Sequence, residues 1–207
     1  HLGGSSSMAE IAACLYFYAM RYDPKNPKDP DRDRLLLSKG HCVLIQYAAL
    51  VELGVIPREE LKKVKTLEGC LQGHPDMCKT PGIDMTAGSL GHGLSVGLGM
   101  ALAGRLQKRD YRVWVIIGDG ETQEGAIWEA AMGAAGFGVD NLTAILDRNR
   151  IQNDDFVDNI MPIEPVADKW RAFGWHVTEV DGHDMRQVVE ALEASRGVRG
   201  QPALILA

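Results

Sequence analysis

The chain has 207 residues, a formal charge of −6, 45% hydrophobic residues and 24% charged ones. That is the balance of one globular domain long enough to bury most of its apolar surface. Acidic excess spread along the chain argues against a nucleic-acid surface, and no apolar run approaches the roughly 20 residues of a membrane span. Cys14, Cys42, Cys70 and Cys78 form neither a CxxC pair nor a dense framework, the pattern of reduced thiols in a cytoplasmic protein. The sequence opens on His1 rather than Met and stops in a strand pattern at Ala207, so we expect a single domain, 1–207, truncated at both ends.

In chain order, residues 1–7 read as a loop running into a helix. A capping box of Ser7 and Glu10 should start that helix, with Ile11, Leu15 and Tyr18 on its buried face. Pro24, Pro27 and Pro30 exclude regular structure from 23–33. Residues 35–37 form a short buried strand, 38–41 a turn, and 42–53 a helix stopped by Gly54. Pro57 opens another helix that fades near Lys65, and 67–87 is irregular. The glycine-studded stretch 88–104 becomes helical around 94–102, where Gly93, Gly97 and Gly99 should let it lie close against a sheet.

The second half alternates cleanly. The apolar run 113–117 is a central parallel strand, Gly118-Asp119-Gly120 its turn, and 127–135 an Ala-rich helix. A strand at 142–146 ends in Asp147-Arg148-Asn149; a strand at 175–180, a helix at 185–194 and a strand at 203–206 follow. The fold class this implies is α/β, a mainly parallel central sheet with helices on both faces.

Ligands of such sheets bind beyond the carboxyl ends of the strands. Asp119 and Asn149 each follow a strand and stand thirty positions apart, room for one helical crossover and a return strand. If those strands are neighbours, both side chains share one crevice. A carboxylate, an amide oxygen and a loop carbonyl make a hard oxygen site suited to magnesium or calcium when an anion completes the shell. Gly118 and Gly120 leave the backbone bare, so the Gly120 N–H can approach a phosphate. Gly-Asp-Gly alone is usually a surface turn; the flanking strand and helix, and the Asn after the next strand, raise its meaning. A nicotinamide or flavin site fits less well, because the three-glycine fingerprint and its ribose-binding acid are missing.

Gly118-Asp119-Gly120 followed by Asp147-Arg148-Asn149-Arg150-Ile151 resembles the thiamine-diphosphate motif. The detailed similarity is to the transketolase family. It runs through His1-Leu2-Gly3-Gly4, Leu37-Ser38-Lys39-Gly40-His41, Gly73-His74-Pro75, Gly88-Ser89-Leu90-Gly91-His92-Gly93 and Gly118-Asp119-Gly120-Glu121-Thr122-Gln123-Glu124-Gly125, in family order across essentially the whole chain. The part matched is the pyrophosphate-binding domain.

The resemblance implies that Asp119 and Asn149 ligate magnesium (or calcium) by side-chain oxygens and Ile151 by its carbonyl. It implies that Gly120 and His41 contact the diphosphate, and that Gly88, Ser89 and Leu90 wall the aminopyrimidine. His1 and His74 would face the reacting sugar, and Glu124 would sit at a subunit interface. The implied reaction passes a two-carbon ketol unit from a ketose phosphate to an aldose phosphate, with thiamine diphosphate as electron sink. In the family that the chain resembles, the glutamate that activates the cofactor belongs to a second, pyrimidine-binding domain. The expected partner is therefore a C-terminal transketolase subunit, in a heterotetramer or a homodimer-based assembly. Arg148 replaces the first Asn of many thiamine enzymes, and His92 replaces a Gln of many relatives.

His41 and His74, in glycine-rich loops, suit hydrogen bonding and proton exchange near neutral pH. His176 reads as structural, His183 as a turn residue, and no histidines show zinc-ligand spacing. The Ala/Gly-rich stretch 126–138 could pack across a chain interface or simply on the sheet. Three alternatives stay open: another thiamine enzyme on the same scaffold (a deoxyxylulose-phosphate synthase or an unusual-sugar transketolase), a non-catalytic thiamine-diphosphate-binding subunit, and a plain nucleotide-binding module.

Overall fold

The computed structural model describes residues 2–207; His1 lies outside the described residues. Five parallel strands form the sheet: β1 (Arg34–Leu37), β2 (Val113–Gly118), β3 (Leu142–Asp147), and, after a two-residue hairpin of β4 (Ile151–Gln152) and β5 (Asp155–Phe156), β6 (His176–Glu179) and β7 (Ala203–Leu206). Their order is β1-β2-β3-β7-β6. β3 is the middle strand; β2, expected to be central, lies one place in from the β1 edge, and it is buried along its whole length, as its unbroken apolar run requires.

Eight α-helices accompany the sheet among the described residues: α1 (Leu2–Ser6), α2 (Ala9–Cys14), α3 (Leu44–Glu52), α4 (His92–Leu106), α5 (Gly125–Gly136), α6 (Val157–Ile160), α7 (Val166–Ala172) and α8 (Met185–Gly197). Strand alternation divides the interior into two cores. Leu35, Leu37, Trp114, Ile116, Ile145 and Ile205 face Ile11, Leu15, Leu50 and Leu192 of α2, the turn after it, α3 and α8. Leu36, Val113, Val115, Ile117, Ala144 and Leu204 face Leu94, Ile127, Ala131 and Trp170 of α4, α5 and α7. Helices therefore cover both faces. None is long and apolar enough, among the described residues, to cross a membrane.

Local departures from the expected elements have identifiable causes. Residues 2–6 are helical rather than a loop, because α1 is docked: Ser5 Oγ donates to the Cys42 carbonyl at 3.0 Å, and a Cβ on Gly4 would lie 2.5 Å from Cys42 Sγ. No capping box forms. Met8 precedes α2 without a side-chain cap, and Ser7 Oγ instead lies 2.5 Å from Asp147 Oδ2. After α2 the chain widens into a π-helical turn, Leu15–Ala19, in which Met20 N–H donates to the Leu15 carbonyl. The wider turn shifts the phase, so Leu15, Tyr16 and Ala19 are buried while Tyr18 is 59% exposed.

The segment after Pro57 is a 3-10 turn, Arg58–Lys63, rather than a full helix. Gly97 does let α4 approach the sheet: a Cβ there would stand 2.5 Å from Val115 Cγ2, and one on Gly93 2.4 Å from Ser38 Cβ. Gly99 does not share this role, since nothing lies within 4 Å of its position. In α5, Ala130, Ala131 and Ala134 pack on the sheet, while Met132 and, just past the helix end, Phe137 are both 61% exposed.

Candidate cofactor site

Register sets the heights of the strand tips. Leu37 pairs with Ile116 and Gly118 with Asp147, so β1, β2 and β3 end side by side. The Asp119 N–H continues the ladder to the Asp147 carbonyl at 3.2 Å. Beyond these tips lies a cavity of about 970 Å³ whose walls include Lys39, His41, Gly88, Leu90, Asp119 and Asn149. Gly120, Ile151, Arg148 and His183 line it too. The two oxygen-bearing residues expected to share a crevice therefore do so.

Asp119 is only 2% exposed. Its Oδ1 accepts from Gly120 N–H at 2.7 Å and its Oδ2 from Arg150 N–H at 2.6 Å. Arg150 adopts φ +64°, an unfavourable conformation for a side-chain-bearing residue that turns the loop as it passes the carboxylate. Burial pushes the Asp119 carboxyl above the usual range; the two N–H groups and Arg148 oppose this, while Asp147 adds to it. Asn149 Nδ2 donates to Asp147 Oδ2 at 3.2 Å, and its Oδ1 accepts from Ile151 N–H at 3.0 Å.

This donor set fits a hard divalent ion. It offers a buried carboxylate partnered by backbone N–H groups, a primary amide oxygen and the carbonyl of a cavity-lining residue. Among the described residues no group of three or more His, Cys, Asp or Glu side chains is arranged for a metal. One carboxylate neutralises only half of a divalent charge, so an anionic ligand must supply further oxygens. Gly120 has no spare room: a Cβ would stand 2.9 Å from Gln152 Cδ.

Beneath the tips is a charge network whose chemistry the sequence motifs did not reveal. Lys39 pairs with Asp147 across the β1 and β3 tips, their side chains 3% and 4% exposed. Asp147 Oδ2 also meets Ser7 Oγ and Asn149 Nδ2, and Lys39 Nζ lies 3.4 Å from the Gly4 carbonyl. Glu121 is likewise buried, and its carboxylate accepts from Ser38 Oγ, Gly91 N–H at 2.8 Å and Gly118 N–H at 3.0 Å. Burial pushes its carboxyl up, against the pull of these donors. The available signal was position alone, since Lys39, Glu121 and Asp147 each lie close to a strand tip.

The histidines separate by place. His41 is half-buried in the cavity wall, and burial, with Lys39 and His74 adding to it, holds its imidazole below the ordinary value of 6.5. His74 is exposed and is not among the lining residues; its carbonyl accepts from Tyr47 Oη at 3.2 Å. Ser89 is also exposed and outside the lining, between Gly88 and Leu90, which are in it. His92 is exposed at the start of α4, with Nδ1 3.2 Å from the Leu90 carbonyl. His183, expected to be only a turn residue, lines the cavity with Nδ1 3.1 Å from Glu10 Oε2. The expected role of His1 lies outside the described residues. Glu124 is exposed at the start of α5. Arg148 turns its guanidinium to Glu164.

Comparison with known proteins identifies the family. The family model described as transketolase, thiamine diphosphate binding domain, matches residues 1–207. The chain is 49% identical over its whole length to the 6-deoxy-6-sulfo-D-fructose transketolase subunit SqwG of Clostridium sp. (strain MSTE9), covering 75% of that protein. It is 42% identical to an apulose-4-phosphate transketolase subunit of Phocaeicola vulgatus, covering 73% of it. Of the longer transketolases it spans about a third, as with that of Pongo abelii at 40% identity and 33% of its length. Among solved structures, the transketolase of Leishmania mexicana superposes with a TM-score of 0.88 at 27% identity, over 99% of this chain and 35% of that one. The Pichia stipitis transketolase in complex with sedoheptulose 7-phosphate gives 0.87 at 28%, over 98% and 35%. This chain belongs to the transketolase family and corresponds to its thiamine diphosphate binding domain.

Proposed function

We propose that this chain is the amino-terminal subunit of a split transketolase, binding magnesium (or calcium) and thiamine diphosphate and transferring a two-carbon ketol unit from a ketose to an aldose. The observation that carries the reading is the meeting of Asp119 and Asn149 at neighbouring strand tips in one cavity. The names of the 49% and 42% identical relatives, both transketolase subunits, support the split arrangement.

In this reading Asp119 and Asn149 hold the metal through side-chain oxygens and Ile151 through its carbonyl. Gly120 and the His41 imidazole meet the diphosphate. His41, with its depressed pKa, acts there as a neutral hydrogen-bond donor at physiological pH. Gly88, Ser89 and Leu90 present backbone to the cofactor's ring. His74 serves the sugar hydroxyls, holding or passing a proton at an imidazole nitrogen, a role that the family likeness also implies for His1. Bound thiamine diphosphate supplies the electron sink that lets the donor's carbon–carbon bond break. Exposed Glu124 faces the partner subunit, which carries the pyrimidine-binding domain and completes the site.

A sulfonated or otherwise unusual sugar is favoured over the common pentose phosphates by the higher-identity relatives, whose named substrates are 6-deoxy-6-sulfo-D-fructose and apulose 4-phosphate. The test is turnover by the reconstituted pair of subunits. Two-carbon transfer from 6-deoxy-6-sulfo-D-fructose, apulose 4-phosphate or xylulose 5-phosphate to an aldose phosphate should appear only when the partner is added. Turnover by this chain without a partner contradicts the split-site reading. Absence of transfer by the pair with every donor contradicts the enzyme reading.

A further inference from the structure

Glu121 is buried one residue beyond the Asp119–Gly120 turn, and three separate elements converge on its carboxylate. Ser38 Oγ donates from the β1 tip, Gly118 N–H from the end of β2 at 3.0 Å, and Gly91 N–H from the residue before α4 at 2.8 Å. Ser38 Oγ in turn accepts from Gly93 N–H at 3.1 Å. There is no slack in this knot. A Cβ on Gly93 would meet Ser38 Cβ at 2.4 Å, and Gly91 sits at φ +85°, a conformation natural only to glycine. The cavity wall at Gly88 and Leu90 leads directly into Gly91.

We propose that Glu121 is a positioning residue that fixes the Gly88–Gly91 wall at a set distance from the Asp119 turn, and so governs the fit of the cofactor's ring rather than the grip on its diphosphate. This rests on the functional reading above. Only an acceptor with two oxygens can satisfy donors converging from the wall, β1 and β2 together. Glu121→Gln keeps the volume but offers one oxygen, and its NH2 group then opposes a backbone N–H. The Asp119, Asn149 and Gly120 groups proposed for metal and diphosphate keep bonds that do not pass through Glu121: Arg150 N–H donates to Asp119 Oδ2, Asn149 Nδ2 to Asp147 Oδ2, and Gly120 N–H to Asp119 Oδ1. Losing Glu121 therefore loosens one side of the cavity selectively.

The experiment compares two probes on the full chain assembled with its partner subunit, by calorimetry: magnesium thiamine diphosphate, and magnesium with inorganic pyrophosphate, which lacks the ring. For Glu121→Gln, thiamine diphosphate should weaken about tenfold, as expected for loss of a charge-assisted hydrogen bond, while pyrophosphate changes less than about threefold. Equal weakening of both probes, or no change in either, overturns the proposal. If Glu121→Gln does not fold, Ser38→Ala removes one donor and keeps the carboxylate; it should show the same selectivity with a smaller loss, and equal effects on both probes overturn the proposal again. A wild-type assembly that binds neither probe overturns the functional reading and this inference with it. A wild type that binds both, with unselective variants, overturns only this inference.

Discussion

Lys39→Met tests the charge network under the site. The lysine and Asp147 are both nearly sealed from solvent, and removing one partner leaves the other as an uncompensated buried charge. Breaking such a pair costs about 3–5 kcal/mol. Two neutral donors, Ser7 Oγ at 2.5 Å and Asn149 Nδ2 at 3.2 Å, stay on the Asp147 carboxylate and soften the loss, which places it near ~3 kcal/mol. In a chain of this size each kcal/mol moves the thermal midpoint by about 2–4 °C, so the midpoint should fall by about 6–12 °C. Adding Asp147→Asn removes the stranded charge while keeping an oxygen for both donors, and should return about 2 kcal/mol. Thermal unfolding followed by circular dichroism reads both variants. A single-variant loss below about 1 kcal/mol, or a double variant whose loss is the sum of the two singles, refutes the buried pair.

Two further outcomes are expected. In α4, Gly97→Ala and Gly99→Ala should have opposite signs: the first drives a methyl to 2.5 Å from Val115 and loses about 1 kcal/mol or more net, while the second meets open space and gains about 0.5–1 kcal/mol of helix propensity, both read from urea midpoints. His41, held below its ordinary 6.5, binds its proton less well when folded. As pH falls through 6.5 the unfolded chain protonates first, so stability contributed by neutral His41 is full above that value and declines below it. Urea midpoints at pH 7.5 and 5.5 should show a drop that His41→Gln diminishes, and an equal drop in both proteins contradicts the assignment.

The central architecture was legible because β2 is an unbroken apolar run and β3 is apolar but for Thr143, and because Gly-Asp-Gly and Asp-Arg-Asn close these two strands. Position after a strand is enough to place Asp119 and Asn149 at the tips. What sequence could not show depends on distant partners. Lys39 and Asp147 are 108 positions apart and Ser38 and Glu121 are 83, and hydrophobic periodicity carries no information about which polar residues meet across a sheet. Residues 2–6 hold two glycines and two serines and lack helix propensity; docking on Cys42 decides their conformation instead. The outward turn of Tyr18 follows from the wider turn after α2, which a 3.6-residue period does not anticipate.

The most direct measurement is magnesium-dependent binding of thiamine diphosphate to the assembled protein, wild type against Asp119→Ala and Asn149→Ala. With one carboxylate and one amide at the tips of β2 and β3, the aspartate variant should lose affinity by about a hundredfold or more, the asparagine variant by less, and both should lose most of their magnesium dependence. Unchanged binding in both variants would contradict the site at its centre.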